Sequence, residues 1–353
     1  MIRLLGKINA DDLSTWLAAE LGHQDALDQF IPHGPLLSKA SAPATILHIV
    51  SGNTPHAALQ SLLRGFLLGS ANVIKLPSSG LPDLAGWIEQ LPNELRAMVE
   101  TTDKLTDSQW EHADAVIAIG SDDTIAAVRQ QTLPDQIFIA HGHKVSLGIV
   151  YGDFEIAAPL AARDVSLFNQ RGCLSPHAIY VDESHQSDTG NALQFAALLA
   201  TAMEDFVRKN PTDPSNPTNT LSLSEAGAVR NLRESTRFAA ANSPATQLWE
   251  SPDSLDWTVI YQTSPTLQLS CLNRCIFVKP LPAEFNTATL GAEARHLSSI
   301  AIHPFNKPTA TRLATTLPAH RICPLGQSQQ PSLFWHHDGF APLASLVKWQ
   351  DLG

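Results

Sequence analysis

Four cysteines stand in the chain, at positions 173, 271, 275 and 323, too sparse for a disulfide scaffold in 353 residues, so reduced thiols are the expectation. Cys173 has the setting that draws notice. It lies in FNQRGCLSPH, residues 168–177, at a junction where a predicted helix ends at Gly172 and a strand opens after Pro176. A tight junction of this kind can expose a thiol. An exposed thiolate attacks carbonyl carbon and forms a thioester that is itself reactive. Read without its surroundings, a single cysteine is more often a small buried hydrophobe. The spacing Cys271-x3-Cys275 hints at metal, but no second pair and no His-x3-His segment completes a tetrahedral set, so no metal is expected and both read as small strand residues.

The elements that must position Cys173 follow from the hydrophobic pattern. From residue 44, short β-branched runs alternate with longer amphipathic stretches, and each run ends in Gly, Pro or Asn. Strands are expected at 44–51, 71–76, 115–119, 136–140 and 145–151, with helices near 55–69, 82–100 and 122–131. This is the rhythm of a parallel α/β sheet built from βαβ crossovers. A second α/β region opens with a helix over 153–168, whose Ile156, Leu160, Val165 and Phe168 recur at helical spacing and lead into Cys173. Further strands are expected at 177–182, 257–262, 275–279 and 297–302, with helices near 189–209, 223–240 and 306–316. The proline-rich stretch 210–220 reads as an exposed loop.

Length and composition bound the class. A chain of 353 residues is long enough for about two domains. With 44% hydrophobic and 16% charged residues it reads as an ordinary globular protein. A net charge of −11 argues against extended nucleic-acid binding, which needs clustered Lys and Arg. No run approaches a membrane span, and the apolar run between Arg3 and Lys7 is too short for a secretory signal, so a cytoplasmic location is expected.

Taken together and in order, SGNTP (51–55), NVIKLPSS (72–79), AIGSDDTI (118–125), HGHKVSLGIV (141–150), FNQRGCLSPH (168–177) and WHHDG (335–339) resemble the LuxC-type long-chain acyl-CoA reductases of the aldehyde dehydrogenase superfamily. The resemblance implies an α/β, aldehyde dehydrogenase-like fold, with a parallel-sheet cofactor domain followed by a second α/β catalytic domain. The cofactor domain is expected at 1–150, the catalytic domain at 151–324, and 325–353 is a candidate to return to the first. The resemblance also makes Cys173 the nucleophile and Asn53 an oxyanion donor, alongside the backbone N–H of Cys173; donors of this type stabilise a tetrahedral oxyanion. Lys75, with Ser78 and Ser79 nearby, matches the segment that contacts the cofactor ribose and phosphate. Gly120 and Ser121 match the Gly-Ser turn that meets the pyrophosphate. A cation at Lys75 suits NADPH, with NADH as the alternative. Asp122 and Asp123 complement a helix dipole but would repel a phosphate set too near, and the absence of G-x-G-x-x-G after the first strand leaves the cofactor to the resemblance alone.

In aldehyde-oxidising members a Glu precedes the Gly-Lys type segment and activates water; here Ala140 or His141 takes that place. A missing carboxylate disfavours hydrolysis and leaves reduction intact. His141, His143 and His177 are candidate proton donors, His177 foremost because it follows the nucleophile by four residues. His336 and His337 would face different directions, and a turn ending in Gly339 is the plain reading of WHHDG. The implied reaction is NADPH-dependent reduction of an acyl-CoA to the aldehyde. Rivals are an acyl-phosphate or acyl-carrier donor, or a non-catalytic acyl-binding subunit of a multi-enzyme complex. The implied partners are the acyl-CoA, an acyl-transferring or synthetase protein, and a second copy of the chain in a homo-oligomer.

Overall fold

The structure is a computed structural model that describes residues 9–52, 55–78, 80–184, 190–211 and 220–353. It divides into two compact units, Met1–His143 with Ser332–Gly353, and Lys144–Pro331.

The first unit opens with helix α1, Ala10–Leu21. Asn9 and Asp12 form a reciprocal capping box at its start, and Gly22, at φ 80°, ends it in the left-handed conformation glycine tolerates. A small antiparallel sheet follows, with β1 (Ile31–His33) and β15 (Lys348–Leu352) flanking β2 (Leu36–Ser41). The principal sheet is parallel. It contains β3 (Thr45–Ile49), β4 (Ala71–Lys75), β5 (Val99–Thr102), β6 (Ala115–Ile119) and β7 (Ile137–His141), in the order β5-β4-β3-β6-β7. Strand order therefore reverses beside β3. In open parallel sheets, that reversal leaves a crevice at the carboxyl ends of the strands.

Helix α2 (Pro55–Leu67) lays Ala58, Leu59 and Leu62 into the same apolar cluster as Ile74. The stretch expected as one helix over 82–100 is instead α3 (Pro82–Glu89), α4 (Asn93–Arg96) and β5. Pro92 is the reason: it lacks the N–H that a continuing helix needs. Helices α5 (Asp107–Glu111) and α6 (Asp122–Gln131) complete the crossovers.

A buried polar trio sits inside this apolar unit. Asn72 Nδ2 donates to the carbonyls of Ser70 and Met98, which makes its Oδ1 the acceptor for His48 Nε2 at 3.0 Å. His48 Nδ1 must then accept from Ser61 Oγ, at 2.7 Å. Burial holds His48 neutral, with its pKa pushed down to about 4. Gly65 permits the approach, since a Cβ there would lie 1.7 Å from Asn72 Oδ1.

The second unit is built on a seven-stranded sheet ordered β10-β11-β12-β9-β8-β13-β14. Its strands are β8 (Val145–Val150), β9 (Pro176–Val181), β10 (Thr246–Glu250), β11 (Thr258–Gln262), β12 (Cys275–Pro280), β13 (Leu297–His303) and β14 (Arg321–Pro324). All neighbours are parallel except β10 and β11. Strand β8, whose pattern groups it with the preceding strands, pairs instead between β9 and β13. Apolar periodicity identifies a strand but not its neighbours.

Helix α7 (Phe154–Ser166) turns Ala157, Ala158, Ala161 and Ala162 inward, and these small side chains let α8 (Asn191–Lys209) pack close through Phe195, Ala196 and Leu199. Helix α9 (Leu223–Asn242) starts at a capping box of Ser222 and Glu225. The short α10 (Thr287–Leu290) and α11 (Lys307–Thr316) cover the other face. Among the described residues, no helix is long and apolar enough to cross a membrane.

Candidate active site

Cys173 is exposed at the mouth of a short, heavily braced segment. Helix α7 ends at Ser166 rather than running on to Gly172, and a single 3-10 turn, Leu167–Gln170, follows it. Phe168, Asn169 and Gln170 have φ of 54°, 52° and 60°, a left-handed run without glycine. Such conformations cost roughly 1–2 kcal/mol per residue and persist only where their surroundings hold them.

The holding contacts are clear. Gln170 Nε2 donates to the carbonyls of Pro176 and Cys275, both at 2.8 Å, while its Oε1 accepts from Cys275 N–H at 2.9 Å. Asn273 N–H donates to the carbonyl of Asn169 at 3.0 Å. Arg171 donates to Asn273 Oδ1 and pairs with Glu225 at 2.9 Å. Beside Cys173, Ser146 Oγ donates to the Cys173 carbonyl at 2.8 Å, and Gln329 Nε2 donates to Ser175 Oγ at 2.8 Å. The helix that leads in is tied as well. Buried Asp164 accepts from Gly326 N–H, Ser328 N–H and Ser328 Oγ, and burial pushes its carboxyl up from the ordinary range.

His177, the second residue of β9, is buried. Its Nδ1 accepts from the backbone N–H of Ser270 at 3.2 Å, so the ring proton of the neutral form sits on Nε2. Ser270 Oγ also lies 3.2 Å from Nδ1.

The nucleotide candidates are in the first unit, at the carboxyl edge of its parallel sheet. Lys75 is the half-buried last residue of β4, and Ser78 is exposed in the turn closed by Gly80 N–H to the Pro77 carbonyl. Gly120 and Ser121 directly follow β6. Since β4 and β6 are the two neighbours of β3, Lys75 and Gly120 stand on either side of the reversal in strand order. A Cβ on Gly120 would press Thr124 at 3.2 Å, which keeps the turn bare. Ser121 Oγ caps α6 by accepting from Thr124 N–H at 3.3 Å. Asp122 Oδ1 accepts from His143 N–H at 2.8 Å, binding the start of α6 to the chain beyond β7. Asn53 and Ser79 lie outside the described residues.

The sequence reading missed one cluster. His141, at the end of β7, donates from Nδ1 to Asp338 Oδ2 at 2.8 Å, and its ring stacks on His337 at 3.8 Å between centroids. His337 and Asp338 are buried while His336 is exposed, in a turn closed by Gly339 N–H to the His336 carbonyl. The three side chains bring one ligand atom each within 4.8 Å of one another. Arg64 argues against metal there. A guanidinium can only donate, and it lies 3.2 Å from His337 Nδ1, so Nδ1 accepts and Nε2 carries the proton. Ligation through Nε2 with that contact kept would require an imidazolate beside a buried cation, whereas metal-bound imidazoles normally donate from the outer nitrogen. Nearly 200 residues separate His141 from Asp338, so spacing could not reveal the pair.

The sequence matches the family model described as Acyl-CoA reductase (LuxC) over residues 2–349. It is 24% identical over 351 residues to a long-chain acyl-protein thioester reductase of Photorhabdus laumondii, covering 94% of this chain and 68% of that one. It is 28% identical over 176 residues to a reductase of the same description from Aliivibrio fischeri, covering 46% of this chain and 36% of that one. The chain thus spans about a third to two thirds of the length of these relatives. Among solved structures, a putative aldehyde dehydrogenase, PutA, from Anabaena variabilis superposes with a TM-score of 0.66 at 15% identity, over 99% of this chain and 82% of the other. The fold is that of the aldehyde dehydrogenases.

Proposed function

The chain belongs to the LuxC family of acyl-CoA reductases, and from that premise we propose that it reduces a long-chain acyl thioester to the free aldehyde through an acyl-enzyme on Cys173. The observation that carries this reading is the exposed Cys173 three residues beyond a left-handed, hydrogen-bonded run of an aldehyde dehydrogenase fold. A cysteine that served only packing would have no need of that bracing or that exposure.

The Cys173 thiolate attacks the acyl carbonyl, the carrier thiolate leaves, and the acyl group remains as a thioester on Cys173. Asn53 and the Cys173 backbone N–H are the proposed oxyanion donors. With Ala140 and His141 where oxidising relatives place a carboxylate, that position supplies no carboxylate to activate water for hydrolysis. His177 is the proposed proton source at the thiohemiacetal, acting from Nε2 while Ser270 holds Nδ1. Collapse of the thiohemiacetal frees the aldehyde and the thiolate.

NADPH is the proposed reductant and, when bound, supplies hydride to the acyl carbon. The carboxyl edge of the first sheet fits a nicotinamide nucleotide in kind. Lys75 offers a cation for phosphate, Ser78 a hydroxyl, and Gly120 and Ser121 a bare turn at a helix start. Asp122 is engaged by His143 N–H, which anchors that carboxylate.

The donor we assign is acyl-CoA. A second reading, an acyl group delivered on a partner protein, draws support from the description of the relatives as acyl-protein thioester reductases. Attack by Cys173 is the same in both. The deciding experiment is intact mass after incubation with long-chain acyl-CoA and no nicotinamide. An adduct on residues 168–177 that NADPH discharges as aldehyde is expected, with no adduct on Cys173→Ser. His177→Gln should keep the adduct and slow its discharge. Aldehyde release by Cys173→Ser at the wild-type rate would end the proposal, and an adduct formed only from an acylated protein would select the second reading.

A further inference from the structure

A cleft of about 800 Å³ in the second unit is lined by charges of both signs, and its arginines do different work. Ala226, Arg230, Arg233 and Arg237 recur at helical spacing and lay one face of α9 along the cleft. The loop between β10 and β11, with Asp253 and Asp256, forms another wall. Arg233 is a strut for that loop. It donates to the carbonyls of Ser254 and Trp257 at 2.6 and 2.7 Å, to Ser251 Oγ at 3.1 Å and to Thr258 Oγ1 at 2.8 Å. Arg233 and Arg237 share the Glu250 carboxylate, and Arg237 pairs with Glu234 as well. The charges of these four residues cancel, so none of them calls for a ligand.

Arg274 is different. It ends a second left-handed run without glycine, Leu272, Asn273 and Arg274 at φ of 62°, 55° and 61°, closed by Cys275 N–H to the Leu272 carbonyl at 3.1 Å. Cys271, expected as a strand residue, lies before that run, while Cys275 does open β12. Arg274 lines the cleft yet is only 9% exposed. Its Nε donates to the Ser166 carbonyl at 3.4 Å, and among the described residues neither Nη atom has a hydrogen bond or an ion pair. Neither is sealed from water, so both open on the cleft. Burial draws this guanidinium below the ordinary arginine range, and the Asp256 charge counters part of that without forming an ion pair. Asp256 accepts instead from Ser254 Oγ at 2.8 Å. A cation stripped of water and left without a partner is costly, and a phosphate that met it would form charge-assisted, bidentate bonds. Arg230, exposed on the same cleft, is likewise unpaired among the described residues.

The cleft therefore offers Arg274 and Arg230 to an anion, and Asp253 and Asp256 to N–H or O–H donors. A simple anion would meet the two acids with nothing to give them. A phosphorylated nucleoside uses both sets, and the volume lies in the range of small-molecule sites. Asn169 also lines the cleft, and Cys173 follows it by four residues, so their Cα atoms are at most about 14 Å apart. The extended pantetheine arm of coenzyme A covers such a span. We propose that this cleft binds the adenosine 3′-phosphate head of the acyl-CoA donor, with the 3′-phosphate on Arg274 and Arg230. The identity of the ligand rests on the acyl-CoA reading of the function; the open guanidinium groups do not.

The test titrates wild type, Arg274→Gln and Arg230→Gln by calorimetry with adenosine 3′,5′-bisphosphate and with its 2′,5′ isomer, which has the phosphate pattern of NADPH. Binding of the 3′,5′ compound to wild type is expected, weakened about 10-fold or more in each variant. No binding, or binding that both variants retain, would overturn the site. Variants that lose the 2′,5′ isomer and keep the 3′,5′ compound would give the cleft to NADPH and overturn it too. Hydrogen exchange on wild type locates the contact. The 3′,5′ compound should protect amides 251–256 and 273–275, and protection confined to 75–78 and 118–124 would refute the assignment. Should Arg274→Gln not fold, Arg230→Gln and this mapping decide. Acylation gives a further readout. Cys173 of wild type should be acylated about 10-fold more efficiently by acyl-CoA than by acyl-dephospho-CoA, and Arg274→Gln should lose that preference. A purely structural defect would slow both donors alike, and a preference kept by the variant would count against the site. Bisphosphate binding that depends on Arg274, with no acylation of Cys173, would end the reductase reading alone. Acylation with no 3′-phosphate preference in wild type would end this proposal alone.

Discussion

Gln170 brackets the backbone of Cys275, accepting from its N–H at 2.9 Å and donating to its carbonyl at 2.8 Å. A side-chain amide here does what a neighbouring strand would do, on the side of β12 where pairing with β9 begins only at Phe277 opposite Ala178. The segment leading to Cys173 and the turn before β12 are therefore tied together.

Replacing this amide should loosen both. Gln170→Ala leaves a buried N–H and buried carbonyls unpaired, a loss of about 2–4 kcal/mol. Urea unfolding should record it, and iodoacetamide should label Cys173 at a changed rate. Wild-type values for both would show that the bracket holds nothing in place.

Ser146 supports Cys173 from β8 through its hydroxyl on the Cys173 carbonyl. Ser146→Ala should cost about 1 kcal/mol of stability. It should slow acylation of Cys173 by roughly 10-fold, equivalent to ~1.4 kcal/mol in the barrier, while the KM for acyl donor changes little. Pre-steady-state acylation separates these, and an unaltered acylation rate would remove Ser146 from the positioning of the nucleophile.

His48 makes the first unit sensitive to acid. Its pKa falls from 6.5 in the unfolded chain to about 4 when buried. The unfolded state therefore binds the proton first. Stability is full above pH 6.5 and declines as pH falls toward about 4, by about 3 kcal/mol in all. Urea midpoints between pH 7 and pH 4.5 should fall more steeply for wild type than for His48→Gln, even though the variant starts lower. Parallel slopes would mean that His48 is not the titrating group.

Gly65→Ala tests the same trio sterically. The added Cβ would sit 1.7 Å from Asn72 Oδ1 and must displace the amide that accepts from His48. A loss of about 2–4 kcal/mol is expected where alanine in a helix would ordinarily help. Thermal unfolding at or above the wild-type midpoint would contradict the contact.

Most of the principal sheets could be read from the chain, because β3, β4, β6, β9, β12 and β13 are buried on both faces and appear as continuous β-branched runs. The short flanking strands could not. Every residue of β15 is exposed, so no apolar alternation marks it, and β5 was hidden at the end of an apparent helix. Within the candidate site, Cys173, Lys75 and the Gly120-Ser121 turn were singled out by the resemblance of their segments to a known family, not by residue type alone. The left-handed runs at 168–170 and 272–274 have no such signal, because no glycine marks them.

The amino-acid sequence by itself determined most of the helices and principal strands, which thiol stands at a helix-to-strand junction, and which family the chain resembles, since each follows from local pattern or from motifs in order. Only the tertiary structure decided that β8 belongs with β9, that Asp338 reaches His141, and that Gln170 locks onto Cys275. Those are bonds between groups far apart along the chain, and their strength depends on geometry and burial that exist only once the backbone has closed around them.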